Sequence, residues 1–133
     1  MKKDNKGFSL VELIIVIAIM AVLVGVLAPQ FIKYVEQSRR SRDIATANEI
    51  REAILADIAD NQITTSNAAF VPTAGSPTNL AEDPKAAATA ANGTTFTASF
   101  DVTSGTCEVK VTGCSFWLTQ ASDASQYKTS STI

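Results

Sequence analysis

The stretch GFSLVELIIVIAIMAVLVGVLAP, residues 7–29, decides the fold of this 133-residue chain. Between Leu10 and Ala28 the only charged residue is Glu12, and the remaining side chains leave no polar face. A helix that is apolar all round is buried in a large core or in a membrane. These nineteen residues would span roughly 28 Å as a helix, close to the hydrocarbon thickness of a bilayer. Because the rest of the chain is too small and polar to enclose such a helix, the stretch predicts a membrane-spanning segment.

The helical pattern continues beyond the apolar stretch. No glycine or proline occurs from Gln30 to Asp60, and apolar residues recur at helical spacing as Ile44, Ala47, Ile50, Ile54, Leu55 and Ile58. The sequence therefore predicts one helix from about Phe8 to Asp60. Its first half, residues 8–29, is apolar all round, and its second half, residues 30–60, is amphipathic.

The remainder of the chain predicts a small β-sheet. Residues 61–93 are rich in Gly, Pro, Asn and Ser, which is typical of connecting loops. Residues 94–120 predict a three-stranded antiparallel meander, with strands at about 96–102, 107–112 and 115–119. Residues 121–133 read as a polar tail. The expected fold class is α+β, with the long helix packed against one face of the sheet.

The composition argues against several classes of function. The formal net charge of −2 does not favour nucleic-acid binding through phosphates. Histidine is absent from the sequence, which removes the commonest general base and metal ligand. The nearest pair of carboxylates outside the long helix, Glu82 and Asp83, precedes Pro84 and fits a solvated turn better than an acid–base couple. We therefore expect no catalytic residues, no metal site and no cofactor, and the chain is not expected to be an enzyme.

The junction between the basic start and the apolar run carries a specific motif. A secretory signal would need a cut near Ala28, where Pro29 makes a poor cleavage site. Instead, Gly7-Phe8-Ser9-Leu10-Val11-Glu12-Leu13 resembles the class III signal of type IV pilins and of type II secretion pseudopilins. The resemblance covers residues 1 to about 60 and implies the pilin fold. It also implies that a prepilin peptidase removes a leader, residues 1–7, and methylates the new amino terminus at Phe8.

Glu12 is the residue that the resemblance connects with subunit assembly. A carboxylate inside a membrane helix costs a few kcal/mol, so it usually has a partner. The membrane segment holds no cation, so the partner must come from another molecule or Glu12 must be protonated. After cleavage, the amine of Phe8 on a neighbouring subunit could pair with Glu12 and fix the register of packed helices. The alternative is that Glu12 lies at the headgroup level and is hydrated.

Gly25 and Pro29 mark a predicted weak point in the helix. Pro29 has no N–H, so the carbonyl of Gly25 loses its helical partner, and Gly25 adds flexibility. We expect a kink or a locally melted stretch between them. In the family that the motif resembles, this region can loosen during assembly; a tolerated membrane-helix kink is the alternative.

Charge alone does not fix the orientation of the helix. Lys2, Lys3 and Lys6 favour a cytoplasmic amino terminus, but the basic cluster of Lys33, Arg39, Arg40 and Arg42 follows the apolar run. This cluster either pairs with Glu36, Asp43 or Glu49 or forms a solvated face. The class III signal implies that the head, residues 61–133, lies outside the cytoplasm.

An exported head favours a disulfide between Cys107 and Cys114, as in the C-terminal loops of many family members. The loop between these two cysteines is shorter than usual in the family, and two free thiols are the alternative.

Together these features predict a pilin, a structural subunit that passes through the cell membrane and polymerises through its helix into an extracellular filament. Its expected partners are copies of itself, the prepilin peptidase and the assembly machinery of the inner membrane. Roles in adhesion, motility, DNA uptake and secretion are all open. The alternatives are a pseudopilin of a secretion or competence system and a monomeric membrane-tethered binding module. The sequence has no acidic cluster like the calcium sites of major pseudopilins, which favours a pilus.

Overall fold

A computed structural model describes residues 7–130 and divides the chain into two compact units, residues 1–35 and 36–133. Residues 1–6, which make up most of the expected leader, and residues 131–133 lie outside the described part. Each unit is described by itself below.

Helix α1 runs from Leu10 to Ala59, 50 residues, close to the predicted bounds. It ends because Asn61 takes a left-handed conformation, with φ of 57°. Asparagine tolerates this conformation at the end of a helix. The N–H of Gln62 then donates to the carbonyl of Asp57 at 2.9 Å, which satisfies a carbonyl of the last turn.

The second unit contains the predicted three-stranded antiparallel sheet, which confirms the α+β fold class. Strand β1 is Asn67–Phe70, β2 is Phe96–Asp101 and β3 is Thr106–Val111, in the spatial order β1-β2-β3. Two of the strands fall where the sequence predicts them.

The first strand, β1, lies in a region predicted as loop, and the strand expected at 115–119 is wrong. At Gly113 the backbone turns with φ of 86°, and the N–H of Cys114 donates to the carbonyl of Val111. The chain then returns along β3, where Leu118 makes one bond to Val109 at 2.8 Å without building a ladder.

The core of the second unit lies between the sheet and the second half of α1. Alternate residues of β2 are buried, as are those of β3, which follows from the two-residue period of a strand. They share one cluster with the buried apolar residues of the helix, Ala47, Ile50, Ala53 and Ile54. The apolar stripe predicted from helical spacing is therefore the packing face of this half of the helix.

A short helix, α2, occupies Ala121–Thr129, where the sequence predicts a polar tail. Asp123, in its first turn, accepts a hydrogen bond from the N–H of Trp117 at 3.0 Å. Tyr127 is fully buried in the core. One aromatic side chain thus holds a segment whose other residues are mostly polar.

Candidate functional site: an exposed apolar helix

The first unit presents a helix whose apolar surface nothing in the described chain covers. Every large apolar side chain from Phe8 to Tyr34 is at least 48% exposed, and Phe8 is 92% exposed. The most apolar 18-residue segment has none of its residues buried. A contiguous exposed surface of this kind marks a membrane or protein interaction site. The length and composition of the helix suit a membrane span, and its exposure excludes a core helix of this unit.

The start of α1 is capped by two hydrogen bonds that involve the side chains of Ser9 and Glu12. The N–H of Ser9 donates to Oε2 of Glu12 at 2.7 Å, and the N–H of Val11 donates to Oγ of Ser9 at 3.4 Å. The bond from Ser9 to Glu12 is the glutamate half of a capping box, and the hydroxyl of Ser9 caps the N–H of Val11 instead of that of Glu12. Gly7, Phe8 and Ser9 precede the helix and are exposed.

Glu12 therefore has a partner within its own chain, which was not expected from the sequence. The Ser-x-x-Glu spacing of Ser9 and Glu12 was the available signal. Only Oε2 is engaged, and Oε1 accepts no hydrogen bond from the described residues. A carboxylate has about four acceptor positions, so Glu12 can bind a cation without giving up Ser9.

The helix passes through Gly25 and Pro29 without a break, so the structure has no melted stretch there. Both residues are exposed, and a Cβ at Gly25 would meet no atom within 4 Å. The role of this pair in assembly stays a prediction.

Part of the basic cluster does pair with carboxylates, in the second unit. Nε of Arg40 lies 3.3 Å from Oε1 of Glu36, and the buried Arg40 also donates to the carbonyl of Tyr127 at 2.6 Å and to that of Ser130. Glu36 additionally accepts bonds from the N–H and hydroxyl of Thr89. Burial acts to raise the pKa of Glu36, but the hydrogen bonds from Thr89 and Arg40 outweigh it and hold the pKa below its ordinary value.

Asp43 lies at the centre of a buried polar network. Its carboxylate accepts the N–H groups of Ala87 at 2.5 Å and Ala88 at 3.1 Å, and the hydroxyl of Tyr127 at 2.7 Å. Burial, together with this bond to Asp43, raises the pKa of Tyr127 far above its ordinary value. The phenol therefore stays protonated and remains a donor.

Asp57 makes the same kind of contact further along α1. It is buried and accepts the N–H of Thr78 at 2.8 Å and its hydroxyl at 3.0 Å. Glu36, Asp43 and Asp57 lie on α1 at separations of seven and fourteen residues, with Ile50 between the last two. This period places them on one face. Glu36 and Asp43 were expected only as possible partners of the basic cluster, and the burial of Asp43 and Asp57 was not expected. Their spacing in multiples of seven with Ile50 was the available signal.

The predicted disulfide is not present, and both cysteines are buried free thiols. Cys107 pairs with Phe100 in the sheet, whereas Cys114 lies beyond the other end of β3. The strand between Cys107 and Val111 alone covers about 13 Å, and a disulfide needs Cα atoms within about 7 Å. The alternative of two free thiols is therefore the one that the structure has.

Among residues 7–130, no group of three or more potential metal-ligating side chains comes together.

Comparison with known proteins agrees with the N-terminal motif. Residues 2–28 match the family model of the prokaryotic N-terminal methylation motif. A type IV major fimbrial protein FimA of Dichelobacter nodosus is 37% identical over 62 residues, which cover 47% of this chain and 40% of the relative. A second FimA of that organism is 41% identical over 54 residues, covering 41% of this chain and 35% of the relative.

The type IV narrow pilus major component PilA5 of Thermus thermophilus is 42% identical over 48 residues, covering 36% of this chain and 41% of the relative. The chain thus matches less than half the length of each of these relatives. No solved structure matches the chain significantly.

The fold and the site define a class of protein: a small α+β head carried on a helix whose apolar half bears an N-terminal methylation motif. The chain carries this methylation motif and is similar over part of its length to type IV fimbrial and pilus subunits.

Proposed function

We propose that this protein is a structural subunit of a type IV pilus. It is cut after Gly7, methylated at Phe8, held in the cell membrane by residues 8–29 and then polymerised through the same residues into an extracellular filament. The observation that carries the proposal is the fully exposed apolar helix that begins with the methylation motif. Such a surface needs a bilayer before assembly and neighbouring helices after it.

The assembly step depends on Glu12. In water-free surroundings an isolated carboxylate costs a few kcal/mol, and one hydrogen bond from Ser9 offsets only part of this. Cleavage creates a positively charged amine on Phe8, and Oε1 of Glu12 on a neighbouring subunit is open to accept it. Each subunit would therefore carry one cation and one anion near the start of the helix, which fixes the axial register between copies.

The relatives support a structural role rather than catalysis. They are named major fimbrial or pilus components, and residues 2–28 of this chain match the methylation-motif model. Removal of the leader requires a prepilin peptidase, and extraction from the membrane requires assembly machinery. The head would lie outside the cytoplasm, first at the membrane surface and then on the filament.

The first experiment is mass spectrometry of the protein from sheared surface filaments. The expected amino terminus is N-methylated Phe8, whereas an intact Met1 would contradict the proposal.

The second experiment compares Glu12→Gln with Glu12→Ala. Gln removes the charge but keeps an acceptor for Ser9, so both variants should enter the membrane and neither should enter filaments. Assembly of Glu12→Gln alone would show that helix capping, and not charge pairing, is what filaments need.

A further inference from the structure

The apolar surface of α1 does not end at the predicted membrane span. Phe31, Ile32 and Tyr34 follow Pro29 on the same helix and are 68%, 68% and 67% exposed, with the exposed Lys33 among them. Successive residues of a helix point about 100° apart, so these four side chains face four different directions. One neighbouring helix cannot cover all of them, whereas a surrounding medium can.

The chemistry of these four residues fits one layer of a bilayer. A tyrosine ring with its polar hydroxyl, such as Tyr34, collects at the membrane–water interface, and a lysine there can bury its stem while its ammonium reaches phosphate and water. Phe31 has no polar group and supplies apolar contact in the same layer, as phenylalanines do on interfacial helices. If Leu10–Ala28 fills the hydrocarbon, Phe31 and Tyr34 lie roughly 4.5 and 9 Å beyond it. The headgroup layer on each side is about 5–8 Å deep, so Phe31 lies within this layer and Tyr34 at its outer edge.

We infer that Phe31, Lys33 and Tyr34 form an interfacial anchor, which holds the unassembled subunit at a fixed depth through the lipid headgroup layer on the side of the head. The inference rests on the membrane stage of the proposed function. The anchor has a consequence for Glu12, which lies 22 residues before Tyr34, or roughly 33 Å along the helix. This distance places Glu12 about 3 Å inside the opposite edge of the hydrocarbon, close enough to the headgroups for its free oxygen to reach water before a neighbouring subunit supplies a cation.

The experiment measures the depth of single tryptophans in the full chain. Phe31→Trp is made in two backgrounds. In one, Trp117→Phe removes the native tryptophan; in the other, Trp117 is retained and its fluorescence is subtracted. If Trp117→Phe destabilises the protein, the second background still gives the measurement. The proteins are reconstituted into phosphatidylcholine–phosphatidylglycerol vesicles that carry bromine either near the headgroup or near the end of the acyl chain. Ile19→Trp, at the middle of the span, is the matched control.

The expected result is a reversal of the quenching order between the two positions. Bromine near the headgroup should quench Phe31→Trp more strongly, and bromine near the chain end should quench Ile19→Trp more strongly. If Ile19→Trp is quenched but Phe31→Trp is not, the anchor is wrong while the proposed function stands. Stronger quenching of Phe31→Trp by bromine near the chain end would also overturn the anchor. Quenching of Phe31→Trp that falls as the protein-to-lipid ratio rises would overturn it too, because it would mean that a second copy of the protein covers this position. If Ile19→Trp is not quenched at all, the membrane stage of the proposed function fails together with the anchor.

Discussion

The hydroxyl of Tyr127 donates a hydrogen bond of 2.7 Å to the carboxylate of Asp43, across 84 residues of sequence. Both side chains are buried, and the bond joins the last helix of the chain to the first. Tyr127 also lies 5.4 Å from the guanidinium of Arg40, a distance suited to a cation–π contact. The C-terminal segment of the second unit is therefore held by polar contacts as well as by apolar burial.

Replacing Tyr127 by Phe tests this bond. The ring stays in the core, but the carboxylate of Asp43 loses one of its three donors. A hydrogen bond to a charged group contributes about 1.5–3 kcal/mol, so the free energy of unfolding should fall by about that amount. Urea unfolding of the detergent-solubilised protein, followed by Trp117 fluorescence, measures it. Tyr34→Phe removes a hydroxyl from an exposed residue and should leave the stability unchanged; an equal loss in both variants would refute the role of the bond.

The pH dependence of stability should carry a contribution from Glu36. The pKa of this carboxyl is lower in the folded protein than its ordinary value of 4.5, because bonds from Thr89 and Arg40 favour the charged form. A lowered folded-state pKa means that the stabilisation is present above 4.5 and is lost as the pH falls through the folded-state value. The wild type should therefore lose more stability on acidification than Glu36→Gln.

The control for this prediction is Glu52→Gln. Glu52 is exposed on the same helix and makes no hydrogen bond within the described residues. Other carboxylates also titrate in this range, so the quantity that decides is the difference between each variant and the wild type. If the difference for Glu36→Gln does not change with pH while the protein remains folded, the stabilisation is not due to the charge of Glu36.

The sequence predicted the parts of the fold that rest on periodic local patterns. The bounds of α1 follow from residues 30–60 without Gly or Pro, and β2 and β3 follow from strict alternation. The elements that the sequence did not predict depend on contacts between residues distant in sequence. The four residues of β1 carry no alternating pattern and form a strand only because β2 offers an edge, and α2 forms because Tyr127 finds Asp43.

The candidate site shows the same division. The motif at Gly7–Leu13 could be recognised from the sequence because its residues are adjacent. The capping spacing of Ser9 and Glu12 is equally local but was not recognised. The disulfide was expected because the head is predicted to be exported and because many members of the resembling family have one. No distance between the two cysteines supported it. Strand β3 extends from Cys107 to Val111 and carries the chain away from Cys107 before Cys114 is reached, which becomes clear only once the strand is placed in the sheet.

The state of the cysteines gives a direct chemical test. Burial raises the pKa of Cys107 to about 11, so at neutral pH its thiol is neither ionised nor accessible. Since the thiolate is the reactive species, native protein should react very slowly with iodoacetamide. After unfolding without reductant, intact mass should show two alkyl groups. Two groups only after reduction would restore the disulfide and contradict the structure.

Asp57 provides the final test, because among the described residues its side-chain carboxylate accepts hydrogen bonds only from Thr78, in the connecting segment 61–93. Its carboxylate accepts both the N–H and the hydroxyl of Thr78, so Asp57→Ala leaves two donors of a partly buried turn without a partner. Each unsatisfied donor costs about 1–3 kcal/mol if it stays buried, which favours local opening of the turn to water. Hydrogen exchange measured by mass spectrometry should therefore show faster exchange around Thr78, with β2 and β3 still protected. Asp60→Ala, three residues further and just beyond the end of α1, changes an exposed carboxylate and should leave exchange at Thr78 unchanged. Equal acceleration in the strands would mean that Asp57 supports the whole head and not this segment.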